Sequence, residues 1–124
     1  MERTNAATLA LSPRGQGNSK DDVDPEGEEF MFLGFDPEHP EKYIYAGVYT
    51  DCLRAVDFLA SRPEIDASRI GVEGGSQGGE LSFATVMLDD RIIFCAPDIP
   101  WVGYLQSEYW GWENYPKLFE STRT

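Results

Sequence analysis

Ile70-Gly71-Val72-Glu73-Gly74-Gly75-Ser76-Gln77-Gly78-Gly79-Glu80-Leu81 carries more structural information than any other stretch of the chain. Its first residues are β-branched at alternate positions, which predicts a short strand at Arg69–Glu73. Four glycines then crowd around one serine, and the apolar spacing of a helix begins at Gln77. A serine at the tip of a tight strand-to-helix turn, inside Gly74-Gly75-Ser76-Gln77-Gly78, is the G-x-S-x-G arrangement that exposes a hydroxyl for nucleophilic attack. Such a hydroxyl is weak until a neighbouring base takes its proton.

Working outward, Tyr43 to Arg62 predicts a helix. Tyr45, Val48, Cys52, Ala55, Val56 and Leu59 recur every three or four residues and form one apolar face. Pro63 ends it, because the residue before a proline is pushed out of helical geometry. Gln77 to Leu88 predicts the second helix, with Leu81, Ala84 and Leu88 facing a sheet and Asp89-Asp90 closing it. Ile92-Ile93-Phe94-Cys95-Ala96 is a continuous apolar run, expected as a strand covered on both faces. Upstream, Thr8-Leu9-Ala10-Leu11 before Ser12-Pro13 predicts a buried strand. Residues 20–42 are acidic and broken by Pro25, Pro37 and Pro40, with the apolar patch Phe30-Met31-Phe32-Leu33-Gly34-Phe35 inside. The alternation of strand and helix argues for an α/β fold with a mostly parallel sheet. Trp101, Tyr104, Tyr109, Trp110, Trp112, Tyr115 and Phe119 make the last stretch aromatic, suited to a pocket wall or to plain packing. The expected organisation is one incomplete domain over 1–124, with a sheet-and-helix core at 1–100 and an aromatic-rich excursion at 101–124.

Composition narrows the function. The 124 residues carry a formal net charge of -12, which disfavours nucleic acid and anionic membranes as partners. No apolar run approaches the ~20 residues of a membrane span, and no h-region follows the charged start, so a cytoplasmic protein is expected. The two cysteines, Cys52 and Cys95, sit in apolar stretches and read as core residues. No cofactor and no metal site is expected.

Glycine-rich turns also bind phosphate, which is the first rival chemistry. Gly74 and Gly79 have the spacing of a phosphate loop, but Glu80-Leu81 stand where lysine and a hydroxyl residue are needed. A carboxylate there repels phosphate. A purely structural turn, with Ser76 only a capping hydroxyl, is a second rival. The elbow accounts for the residue types better: glycines relieve crowding around a strained serine. The N–H of Gln77 and the helix N-terminus then favour a developing oxyanion.

Arg14-Gly15-Gln16, followed at a distance by Gly74-Gly75-Ser76-Gln77-Gly78, resembles the paired RGQ and GxSQG signatures of the acetyl xylan esterase/cephalosporin-C deacetylase family, carbohydrate esterase family 7. Residues 43–59, Ser68-Arg69-Ile70-Gly71-Val72 and Asp98-Ile99-Pro100 resemble the same family, so that the likeness covers residues 8–105. The resemblance implies part of an eight-stranded α/β-hydrolase sheet, with three of its strands and the flanking helices here. It implies removal of acetyl groups from short acylated sugars or similar small esters, and a homo-oligomeric parent. Ser76 matches the nucleophile and Gln77 an oxyanion donor; Arg14, Gly15, Gln16, Gly74 and Gly78 match positions that support the site.

The chain departs from that family in ways that matter. The triad order of the fold is serine, then acid, then histidine, yet no histidine follows Ser76, and His39 lies upstream in an acidic, proline-flanked loop. The family's HxE motif is missing, and so is the other oxyanion donor upstream of the RGQ strand. Asp98 is expected to be structural. If the resemblance holds, the strands are the fourth, fifth and sixth of a sheet ordered 1-2-4-3-5-6-7-8, and only the fifth and sixth pair. The expectation is the middle of a hydrolase, inactive alone and prone to aggregate through unpaired edges. A prolyl-oligopeptidase-like peptidase is the enzyme rival; a dienelactone hydrolase would carry cysteine at the elbow. The non-enzyme rival is an interaction fragment pairing through its strand edges.

Overall fold

The structure, a computed structural model, describes residues 6–19, 34, 36 and 38–100. The expected aromatic excursion at 101–124, and the patch at 30–35 apart from Gly34, lie outside the described residues.

A 3-10 turn at Pro40–Lys42 leads through extended Tyr43 into helix α1, Ile44–Ala60. Strand β1, Ile70–Gly75, runs into helix α2, Gln77–Leu88, and then into strand β2, Ile92–Asp98. α1 is shorter than its periodicity suggests. Tyr43 enters at φ -67° and ψ 128°, outside helical space, and the Ser61 N–H closes the last turn onto the carbonyls of Asp57 and Phe58 ahead of Pro63.

β1 and β2 pair in parallel, from Ile70↔Ile92 to Gly75↔Asp98, with α2 as the crossover. These are the two strands expected to pair. The register shifts between Ile70 and Gly71, where β2 carries Ile93 as an extra residue.

The expected third strand at Thr8–Leu11 is not formed. Residues 6–12 are exposed and outside any ladder, because among the described residues no strand lies beside them to complete the hydrogen bonds. The described sheet therefore has two strands, not three. β2 is also not covered on both faces: Ile93 is 66% and Phe94 61% exposed.

The apolar face of α1 is buried as its spacing requires, with Tyr45, Val48, Cys52 and Val56 inside. Its first half packs with Leu81 of α2, while Val56 near its end packs with Ile70 and Ile92 at the start of the two strands. Two buried clusters thus fasten one helix to both the crossover and the sheet. α2 turns a different face inward from the one expected. Leu81 is buried, but Leu88 is 58% exposed, and Ser82 and Thr85 take the inner positions. Their hydroxyls donate to the carbonyls of Gly78 (2.8 Å) and Leu81 (2.6 Å), so neither is buried unpaired. At the far end, Arg91 donates to Asp89 on its own turn and to Asp57 of α1 at 2.7 Å, tying that turn to the helix.

Candidate active site

Parallel strands place their ligands at the carboxyl ends, where loops open onto solvent. Gly75 and Asp98 end the two strands side by side, and Ser76 follows Gly75 directly. Its backbone has φ 52° and ψ -115°, the left-handed side that a residue with a Cβ adopts only when its surroundings compel it.

Those surroundings are visible. The Ser76 N–H donates to the Asp98 carbonyl at 2.9 Å, and the Ser76 carbonyl accepts from the Glu80 N–H at 3.2 Å to start α2. The serine is held between the end of β2 and the first helical turn, with its side chain exposed. Asp98 does its structural work through its main chain.

The glycines divide into two kinds. A Cβ on Gly74 would lie 2.5 Å from the Gly78 carbonyl oxygen, and one on Gly79 would lie 2.7 Å from the Asp98 carbonyl oxygen. These two close approaches let strand and helix meet at the elbow. Gly75 and Gly78 face open space, with nothing within 4 Å of a Cβ. The crowding expected around all four is confined to Gly74 and Gly79, and Gly78 contributes its main chain rather than a missing side chain.

The side chain of Gln77 is anchored from below. Its Nε2 donates to the Tyr45 phenol oxygen at 2.7 Å. One turn on, the Tyr49 hydroxyl donates to Glu80 Oε1 at 2.5 Å. Two tyrosines a helical turn apart on α1 therefore grip two residues of the opening turn of α2. Tyr45 is 1% exposed, stacked on Tyr43 and edge-on to Tyr49, with ring centroids 5.4 and 5.8 Å away. Burial pushes its hydroxyl up to about 12, with the Gln77 hydrogen bond opposing and the Glu80 charge adding.

Glu80 is 5% exposed, and its Oε2 has no hydrogen-bond partner among the described residues. Burial raises its carboxyl above the ordinary range, and the Tyr49 hydrogen bond offsets part of this. Tyr49 is raised in turn by burial and by the same carboxylate. Neither anchor was read from the sequence, where Tyr45 counted only as core and Glu80 only as a bar to phosphate. The available signal was a pair of phenols four apart on the buried face of a helix.

Arg14, Gly15 and Gln16 lie in a loop that meets α1 at Asp51. The Arg14 Nε and Nη2 donate to the two carboxylate oxygens of Asp51 at 2.9 and 2.7 Å, and its N–H adds a third bond. These bonds hold the Asp51 carboxyl below the usual range. Gly15 is buried at φ 76° and donates to the Ser19 carbonyl, while the Gln16 N–H closes a turn onto Pro13. The motif thus fastens its own loop to α1. A cleft beside it, lined by Leu9, Leu11, Arg14, Asp51, Ala55 and Phe58, includes no elbow residue.

His39 is exposed on its loop and meets Glu41 at 3.2 Å. Burial raises the thiols of both Cys52 and Cys95, which keeps them in the unreactive protonated form. Among the described residues no three His, Cys, Asp or Glu side chains converge as a metal cage, and no helix is long and apolar enough to cross a membrane.

The family model described as acetyl xylan esterase (AXE1) matches residues 3–109. The acetyl esterase Axe7A of Xylanibacter ruminicola is 38% identical over 82 residues, which are 63% of this chain and 19% of that protein. The Bacillus subtilis protein YtaP is 39% identical over 88 residues, 70% of this chain and 27% of its own length. Among solved structures, an acetyl xylan esterase from Paenibacillus sp. R4 superposes with a TM-score of 0.55 at 50% identity, over 64% of this chain and 26% of that one. The chain therefore spans between a fifth and about a quarter of the length of these relatives.

Proposed function

The chain belongs to the acetyl xylan esterase family, and on that premise we propose that it is the nucleophile-bearing part of a serine carboxylesterase that removes acetyl groups from acetylated sugars or similar small esters. Ser76 is the nucleophile. A histidine supplied from outside these 124 residues takes the Ser76 proton as Oγ attacks the acetyl carbonyl carbon. The Gln77 N–H donates to the oxyanion that forms. Collapse expels the sugar alcohol, which receives that proton from the histidine, and water then releases acetate from the acetyl-serine. Arg14, Gly15 and Gln16 hold the neighbouring loop, and Gly74 and Gly78 form the turn. The free thiols of Cys52 and Cys95 fit a cytoplasmic setting.

One observation carries this reading: a serine held at φ 52° between the end of a parallel strand and the start of a helix. A capping serine has no need of that strain, whereas a nucleophile must stand clear of the sheet.

The experiment compares the whole protein that carries this chain with its Ser76→Ala variant on 4-nitrophenyl acetate and on acetylated xylo-oligosaccharides. Turnover should fall by on the order of 10⁶ in the variant, and activity should decline from acetate to butyrate esters. The 124-residue chain assayed alone should not exceed buffer, since its one histidine is His39. Turnover retained without Ser76 would refute the reading.

A further inference from the structure

The strain at Ser76 has a mechanical consequence for the donor beside it. Rotation about the Ser76 ψ, which stands at -115°, swings the peptide plane between Ser76 and Gln77. That plane carries the Gln77 N–H. A helix leaves its leading N–H groups without carbonyl partners inside the helix, so the hydrogen bonds of α2 hold this one less firmly than those further along. A strained residue next to a weakly held peptide tends to relax by turning that peptide.

We propose that Tyr45 is a positioning residue for the oxyanion donor, holding the Gln77 carboxamide so that the Ser76–Gln77 peptide keeps its N–H aimed at the reacting oxygen. The proposal rests on the esterase reading of Ser76 and Gln77. The anchor is rigid because Tyr45 is 1% exposed and fixed between Tyr43 and Tyr49 on α1. It spans 32 residues of sequence and joins two different helices through one 2.7 Å bond. The Tyr49–Glu80 bond secures the same turn three residues later, so α2 as a whole stays docked when the Tyr45 bond is lost. What loosens is the donor and its peptide. An oxyanion donor matters in the transition state far more than in the bound ester, so the loss falls on kcat.

The test uses the whole protein, with Tyr45→Phe, Gln77→Met and the double variant. Phenylalanine keeps the ring and its packing while removing the acceptor oxygen. Each single variant is expected to lower kcat on the order of tenfold, a fraction of the 10²–10³ lost when a donor is removed outright. KM should stay within about twofold, and the double variant should be no slower than the slower single one, since both remove the same bond. Should Tyr45→Phe unfold, Gln77→Met breaks the bond from its other end and carries the same expectation. An unchanged kcat, a loss confined to KM, or effects that multiply in the double variant would overturn the proposal while leaving Ser76→Ala inactive. Turnover that survives Ser76→Ala overturns the esterase reading and this one with it.

Discussion

Ser76 bears a conformational cost of about 1–3 kcal/mol for a backbone that glycine adopts freely. Ser76→Gly should therefore stabilise the fold by about 1 kcal/mol in urea unfolding even as it removes the hydroxyl. Ser76→Ala, which keeps the Cβ, should not stabilise it. A gain of equal size from alanine would mean that the backbone carries no such strain. Glu80 poses the opposite problem, a carboxyl buried with one oxygen unpaired among the described residues. Its folded-state value lies above the ordinary 4.5. At low pH the group is neutral in both states and costs nothing through ionisation. As pH rises past the ordinary value the unfolded chain ionises first, so stability is lost until the folded value is passed. Glu80→Gln cannot ionise. Its stability relative to the native chain should grow as pH rises past the ordinary carboxylate value and level off once the raised folded value is passed, and a pH-independent difference in urea midpoints would contradict the assignment.

The elements meet where side chains are absent. Gly74 and Gly79 place β1, β2 and the first turn of α2 at distances no Cβ tolerates, and the atoms in the way are backbone. Gly74→Ala and Gly79→Ala should each cost about 1–3 kcal/mol, read as a lower denaturant midpoint. Gly75→Ala should be close to neutral. Gly78→Ala, in the helix and facing open space, should gain up to about 1 kcal/mol from helix propensity. Equal effects at all four positions would show that the approach of strand to helix is not what the glycines serve. These roles were only half legible. The cluster of four was plain in the sequence, but Gly74 is crowded by the Gly78 carbonyl only once the elbow has folded, and Gly79 by the Asp98 carbonyl at the end of β2. The apolar face of α1 was legible because its period lies within one helix. The inner face of α2 was not: Leu88 reads as a core position by spacing, yet no described element covers it.

Across the whole molecule, the two strands have no further neighbour among the described residues. Ile93, Phe94, Met87 and Leu88 are between 58% and 82% exposed. Unpaired edges beside exposed apolar side chains favour self-association. Pro97 removes one donor from β2, a partial brake on such pairing. The 124-residue chain expressed alone should elute as oligomers or aggregates in size-exclusion chromatography with light scattering. A monodisperse monomer with a sharp, reversible thermal transition would overturn that expectation.

The order of the elements and the local geometry of the elbow were set along the chain itself. The period of Tyr45, Val48, Cys52 and Val56 dictates a helix, and a helix between two apolar runs dictates their parallel pairing. The glycine-flanked Ser76 dictates an elbow at the strand end. All of these follow from interactions a few residues long, or from steric limits on a short connection. Only the tertiary structure decided which apolar run becomes a strand, since Thr8–Leu11 stays unpaired where no neighbour completes its ladder. It also decided that Tyr45 and Tyr49 hold Gln77 and Glu80. Those bonds join residues 32 and 31 positions apart, and hydrogen bonds over such separations form only after packing has brought two helices together.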